Sequence, residues 1–311
     1  MKRRARAVGW LGAGLLLAGC STADGGAPAQ PSASPPRGPY VALGDSYTAG
    51  LQVQPQADGP KGCGRSAVDY PALVAQGLGI GGADFTDMSC SSATTADLTA
   101  PQQLDGGSNP AQLGALNART RLVTLGIGGN DADFTTVVTR CVEKGLTQGV
   151  LAKLDLVKAQ DSPCRASYTA ADGTDRLDAQ LATVGDKVAG VLQEARRRAP
   201  QARVLLVGYP TLLPADPAGC LPVLGRTVPP ADLGYLAAKE QRLNGVLRDE
   251  ARAAGATFVD TYTPSTGHDM CAGQAERWVE PPFPAAGRAP LHPNAAGEQA
   301  MAQAVLAAIR G

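Results

Sequence analysis

Histidine is nearly absent from this chain: among 311 residues there are two, His268 and His292. Two histidines far apart give no paired ligand spacing, so neither a metal nor any other cofactor is expected. No glycine-rich loop with its lysine is present to cradle a phosphate, which removes support for nucleotide chemistry. The 28 basic residues match 28 acidic ones and form no basic cluster outside the first few positions, so nucleic acid is not an expected partner. The apolar run near the start is shorter than the ~20 residues a membrane span needs.

What the first residues do contain is a processing pattern. Lys2, Arg3, Arg4 and Arg6 precede an apolar stretch from Ala7 to Leu17, and Leu17-Ala18-Gly19-Cys20 follows. That tetrapeptide resembles the lipobox of bacterial lipoproteins, which implies a signal peptide over residues 1–20 and lipidation of Cys20. Ordinary secretory cleavage and an uncleaved anchor are the alternatives. Residues 21–38 are rich in Pro, Ala, Ser and Gly and read as a disordered tether, leaving one domain over 39–311. Removing four basic residues with the leader leaves 24 against 28 acidic ones, a net charge of −4. Setting Cys20 aside leaves Cys63, Cys90, Cys141, Cys164, Cys220 and Cys271. An even count in an exported protein implies disulfides, and six cysteines allow fifteen pairings.

The remaining pattern alternates short apolar strands with amphipathic helices. Tyr40–Leu43, Arg121–Ile127, Val204–Pro210 and Thr257–Asp260 read as strands, the third stopped by its proline; Val68–Leu78, Leu177–Arg198, Ala231–Ala254 and the segment after Asn294 read as helices. That alternation implies an α/β fold, a three-layer α/β/α sandwich around a parallel, flavodoxin-like sheet. Residues 141–175 and 211–230 read as turn-rich insertions, and Trp278 as a residue that packs or lines a pocket.

Four short blocks carry the chemistry. Gly44-Asp45-Ser46-Tyr47 places a serine at the carboxyl end of a buried strand, where open α/β sheets hold their sites. The chain after it, Thr48-Ala49-Gly50, reads as irregular. Cys90-Ser91-Ser92-Ala93-Thr94-Thr95, Gly128-Gly129-Asn130-Asp131 and Leu291-His292-Pro293-Asn294 follow in order. A serine hydroxyl needs a base to become a nucleophile, and His292, on the loop entering the last helix, is the candidate. His268 reads as a hydrogen-bonded loop histidine. A nucleophile elbow requires Gly-x-Ser-x-Gly, and Thr48 stands at its fifth position.

Together these blocks resemble the SGNH (GDSL) hydrolase family, in particular its secreted actinobacterial esterases and lipases. The resemblance implies a carboxylic ester hydrolase acting on a small-molecule or lipid ester outside the cytoplasm, as a monomer held to the membrane only by its lipid. It implies Ser46 as nucleophile, His292 as base, and oxyanion donors from the Ser46 and Ser92 backbone N–H groups and the Asn130 amide. Ser92 departs from the family's usual glycine, so its backbone must suit a residue with a Cβ. A second departure is Ala289, three residues before His292, where many members carry an acid; no carboxylate lies between Glu280 and His292. Some secreted relatives use a Ser–His dyad, so a main-chain carbonyl of Ala289 or Pro290 is the expected partner of the imidazole, with Asp269 or Asp260 the alternative acids. Similar esterases pair their cysteines in order: Cys63–Cys90, Cys141–Cys164 and Cys220–Cys271. A silent glycan- or lipid-binding lipoprotein and a polysaccharide O-acetyl esterase or transferase are the rival readings.

Overall fold

The computed structural model describes residues 36, 38–158, 160–214, 216–224 and 228–311. The expected leader, Cys20 and all but two residues of the expected tether lie outside the described residues. Among the described residues there are seven strands: β1 (Tyr40–Gly44), β2 (Phe85–Asp87), β3 (Gln102–Leu104), β4 (Gly107–Asn109), β5 (Leu122–Gly126), β6 (Arg203–Val207) and β7 (Thr257–Val259). The helices are α1 (Ser46–Ala49), α2 (Tyr70–Leu78), α3 (Thr95–Thr99), α4 (Phe134–Lys153), α5 (Pro163–Tyr168), α6 (Arg176–Arg198), α7 (Leu221–Leu224), α8 (Pro230–Ala253) and α9 (Ala295–Arg310).

Five strands form one parallel sheet in the order β2-β1-β5-β6-β7, and β3 and β4 make a separate antiparallel hairpin. Strands buried on both faces have to be apolar at every position. Val41, Leu43, Val123, Leu125, Val204 and Leu206 all pack into one cluster, with Leu181, Val188 and Leu192 of α6 and Leu247 of α8. The residues between them, among them Tyr40, Ala42, Leu122, Leu205 and Val207, pack with Val74 of α2 and Val305 of α9. The period-two alternation of the strands thus fixes which helix pair covers which face. At ~1.5–3 kcal/mol for each fully buried large apolar side chain, these two layers are the main source of stability.

The helix ends follow from local chemistry. Asp175 accepts the Leu177 N–H at the start of α6, and Arg196, Arg197 and Arg198 sit at its negative end. Asn294 accepts the N–H groups of Ala296 and Gly297 to start α9.

Two expectations are corrected. The chain after Ser46 is one turn of α-helix, not irregular. The segment 141–175 is not turn-rich throughout: it contains most of α4 and all of α5. Gly145, Gly149 and four threonines lower the intrinsic propensity of α4, but Val137, Val138, Cys141 and Val142 bury one stripe of it in a third cluster. Asp232 of α8 then accepts the Cys164 and Arg165 N–H groups at the start of α5. Strand β2 had no expectation attached to it: it has only three residues, too few for a periodic signal.

Cys63–Cys90, Cys141–Cys164 and Cys220–Cys271 are bonded, with Cα–Cα separations of 4.1, 4.9 and 4.9 Å. Each closes a loop of 23 to 51 residues, and a bridge of this kind typically contributes ~2–4 kcal/mol. Reductant should therefore lower the Tm markedly in calorimetry. Mass analysis that found free Cys63, Cys141 or Cys220 in the native protein would contradict these bonds.

Candidate active site

Strand order reverses between β1 and β5, the switch point at which open parallel sheets leave a crevice at their carboxyl edge. Ser46 follows β1 and Asn130 follows β5, so both come to this crevice. Ser46 begins the turn α1, capped by Asp45, whose carboxylate accepts the Tyr47 N–H at 3.0 Å. Gly44 makes the sharp exit from the strand with φ +154°. A Cβ there would lie 2.2 Å from Thr48 Oγ1 and 2.5 Å from the Gly126 carbonyl, so only glycine fits.

His292 arrives from the loop before α9. Its Nε2 lies 2.7 Å from Ser46 Oγ, and its Nδ1 lies 2.7 Å from the Pro290 carbonyl. A carbonyl only accepts, so Nδ1 carries the proton and Nε2 presents its lone pair to the serine hydroxyl. Among the described residues no carboxylate is hydrogen-bonded to either ring nitrogen. Asp269 instead accepts the Cys271 N–H, and Asp260 accepts those of Tyr262 and Thr263. Burial pushes the His292 pKa down, against the Pro290 hydrogen bond, which raises it. His268 is engaged elsewhere: its ring stacks on Trp278 at 3.9 Å and its Nδ1 donates to the Glu276 carbonyl.

The loop bearing His292 is held at several points. Tyr47 Oη donates to the Leu291 carbonyl, and the Tyr47 and His292 rings lie 4.9 Å apart. Glu280 and the loop exchange backbone hydrogen bonds, Glu280 N–H to the His292 carbonyl (2.9 Å) and Leu291 N–H to the Glu280 carbonyl (3.1 Å).

The Ser92 and Asn130 blocks are tied to each other and to Ser46. Asn130 Nδ2 gives one proton to the Ala93 carbonyl at 2.9 Å, which leaves the other for the crevice. Asp131 accepts the Thr95 N–H and hydroxyl at 2.8 and 2.7 Å. Ser92 has φ +63°, in the left-handed region that favours glycine. The chain therefore keeps the backbone conformation of a glycine while presenting an exposed serine. Cys90 N–H bonds the Gly44 carbonyl at 3.0 Å, so the Cys63–Cys90 bridge anchors this block beside β1.

Three further residues at the site escape sequence reading. Tyr209, just past β6, accepts the Gly129 N–H at 2.8 Å and donates to Asp45 Oδ2. Gln112 clamps Gly44 through both its amide atoms, at 2.7 and 2.9 Å. Glu240 of α8 accepts the Leu212 and Leu213 N–H groups. Burial pushes Asp45 up to about 7 and Glu240 up to about 8. Tyr209 follows a strand end, a weak positional signal; Gln112 and Glu240 have none. Tyr47, Phe134, Leu212, Leu243 and Glu240 line a narrow cleft of about 30 Å³ that reaches Ser46 and Asn130. A hydroxyl beside an imidazole base, amide donors nearby and an apolar slot are the parts an acyl-transfer site requires.

Comparison with known proteins agrees with this chemistry. The sequence model of the GDSL-like lipase/acylhydrolase family matches residues 42–300. A Streptomyces coelicolor protein named Lipase 2 is 38% identical over 300 residues, covering 96% of this chain and 92% of that protein. An esterase of Streptomyces scabiei is 31% identical, covering 90% of this chain and 84% of that protein. The crystal structure of phospholipase A1 from Streptomyces albidoflavus superposes with a TM-score of 0.66 at 28% identity, covering 87% of this chain and 97% of that one. With the family match extending from β1 into the last helix, this chain belongs to the GDSL-like lipase/acylhydrolase family and is an ester-hydrolysing serine hydrolase.

Proposed function

We propose that the protein hydrolyses carboxylic esters outside the cytoplasm through a Ser46–His292 dyad and an acyl-enzyme. The single observation that carries the dyad is the pair of 2.7 Å contacts of His292, Nε2 to Ser46 Oγ and Nδ1 to the Pro290 carbonyl. As Ser46 Oγ attacks the ester carbonyl, Nε2 takes its proton, and the imidazolium returns that proton to the departing alcohol. Water then repeats the sequence on the acyl-enzyme. The Pro290 carbonyl holds the tautomer, a role a triad's acid also plays, but being neutral it stabilises the imidazolium less.

The negative charge formed on the substrate oxygen falls to the backbone N–H groups of Ser46 and Ser92 and to the free proton of Asn130 Nδ2. One such donor is worth roughly 3–4 kcal/mol of transition-state stabilisation. The acyl group occupies the cleft between Tyr47, Phe134, Leu212 and Leu243. Three disulfides support an oxidising, extracytoplasmic location. The Leu17–Cys20 pattern supports lipid anchoring through Cys20; a fatty-acid label retained by a Cys20→Ala variant would remove that part of the reading.

A series of p-nitrophenyl esters from acetate to palmitate tests the activity. The narrow cleft predicts the highest kcat/KM for short to medium acyl chains and a fall towards palmitate. Failure to turn over any member of the series would refute the hydrolase reading.

A further inference from the structure

Among the described residues six large apolar side chains are exposed, and five of them lie within 146–157: Leu146, Val150, Leu154, Leu156 and Val157. The cause is visible along α4. Its buried residues are Val137, Val138, Cys141, Val142 and Gly145, so the helix leaves the core after Gly145 and runs on to Lys153. Leu146, Val150 and Leu154 recur every four residues, which puts them on one side of the projecting end. A hydrogen-bonded turn then brings two more apolar residues to that end. Asp155 has φ +56°, its N–H bonds the Ala152 carbonyl at 3.1 Å, and the Leu156 N–H bonds the Leu151 carbonyl at 3.0 Å. This is the Schellman arrangement, in which a residue in the position of Leu156 ordinarily packs against the helix; here it is 67% exposed. Gln148 Nε2 ties the returning chain down through the Lys158 carbonyl at 2.6 Å. The apolar surface is therefore built and held in place, and no described residue covers it.

The chemistry of this surface selects a partner. It is wholly aliphatic, and lysines border it: residues 144–158 hold Lys144, Lys153 and Lys158 against one acid, Asp155, all four exposed. That local surplus of cations stands in a chain whose residues beyond the first twenty carry 24 basic against 28 acidic side chains. The centre of a protein–protein interface concentrates aromatic residues, methionine and arginine and is poor in lysine, so this composition argues against a protein partner. An apolar stripe rimmed by lysines fits a helix end seated on an anionic lipid surface. Its aliphatic side chains enter the acyl boundary, and the long lysine stems reach the headgroup charges.

We propose that the end of α4 and the turn after it, residues 146–157, form a docking surface for an anionic lipid bilayer. Binding there needs no turnover at Ser46, so the inference stands apart from the mechanism. It adds a second, non-covalent contact to the lipid expected on Cys20. Phe134 and Thr135 of the first turn of α4 line the acyl cleft. Leu146 lies about 18 Å further along a helix that rises ~1.5 Å per residue. One continuous helix therefore connects the docking surface to the site.

The test uses the full chain carrying Cys20→Ala in every arm, so that no covalent lipid contributes. Co-sedimentation with vesicles of equal phosphatidylglycerol and phosphatidylcholine should show binding that weakens with salt. Adding Val150→Ser, Leu154→Ser and Leu156→Ser together should lower the partition coefficient at least tenfold, while the Tm and kcat/KM for water-soluble p-nitrophenyl acetate stay as in the parent. Adding Lys144→Gln, Lys153→Gln and Lys158→Gln instead should erase the preference for these vesicles over pure phosphatidylcholine. No binding by the parent, or an unchanged partition in the serine variant, overturns the proposal. Contact is read separately through Leu154→Cys, which supplies the only free thiol because the six remaining native cysteines are bridged. With an environment-sensitive fluorophore on that thiol, a blue shift on adding vesicles supports docking through this end of α4. Absence of the shift overturns it, even where the serine variant fails to fold. A parent dimer in light scattering that the serine substitutions convert to monomer makes this a self-association face, which also overturns the proposal.

Discussion

Replacing Ser46 with alanine is expected to abolish ester hydrolysis while the protein folds as before. Among the described residues Oγ is the only hydroxyl hydrogen-bonded to the His292 base, at 2.7 Å from Nε2. Its removal ends acyl-enzyme formation, because no other hydroxyl in the cleft is paired with an imidazole. Tyr47 spends its hydroxyl on the Leu291 carbonyl and Tyr209 spends its own on Asp45. The fold should survive because alanine suits the first position of α1, and the cap that starts this turn is the Asp45 side chain, not the serine. An organophosphonate should label wild-type protein once per chain and leave the variant unmodified. Circular dichroism and Tm should match wild type within the ~0.5 kcal/mol typical of a substitution that breaks no core or capping contact. Substantial turnover by the alanine variant would remove Ser46 from the mechanism.

The parts of this site that were legible in the sequence are those for which residue type and local chain agree. Ser46 and Asn130 each follow a run of buried β-branched and leucine residues, so the strand ends that carry them could be located. His292 precedes an asparagine cap, and the acid-free stretch before it turned attention to a carbonyl partner. Long-range pairings that no family motif marks could not be read. Gln112 reaches Gly44 over 68 residues and Tyr209 reaches Asp45 over 164; neither has a local pattern that marks it. Helix α4 was hidden for a different reason. Its glycines and threonines argue against a helix, and only packing of Val137, Val138, Cys141 and Val142 under the segment around Cys220, Leu224 and Val228 offsets that. Strand β2 is held by pairing with β1 rather than by its own residues, Phe85, Thr86 and Asp87. The two strand faces were predictable because burial on both sides admits almost no polar residue; Thr124 is an exception, and its hydroxyl is hydrogen-bonded to Tyr40 Oη at 2.8 Å.

The two histidines should separate sharply in kinetics. His292→Ala is expected to lower kcat by about 10²–10⁴, the range for loss of a general base, while His268→Ala should change it little. His268 has its ring flat against Trp278 and its Nδ1 on the Glu276 carbonyl, so its removal disturbs a loop and no proton transfer. The pH profile gives the same contrast a sign. His292 acts only as the neutral imidazole, and burial pulls its pKa below the ordinary value of about 6.5. Activity should therefore be retained on mild acidification and fall as pH drops through a value below about 6.5. Asp45, next to Ser46 in the chain, is pushed up to about 7 by burial. Its protonation weakens its acceptance of the Tyr209 hydroxyl and of the Tyr47 N–H, but leaves the lone pair of His292 untouched. Any step near 7 should thus be shallow and vanish in Asp45→Asn, while the steeper limb below it persists in that variant. Equal losses from the two histidine substitutions, or a limb that disappears with His268, would move the base to His268. The dyad built on Pro290 would then be wrong.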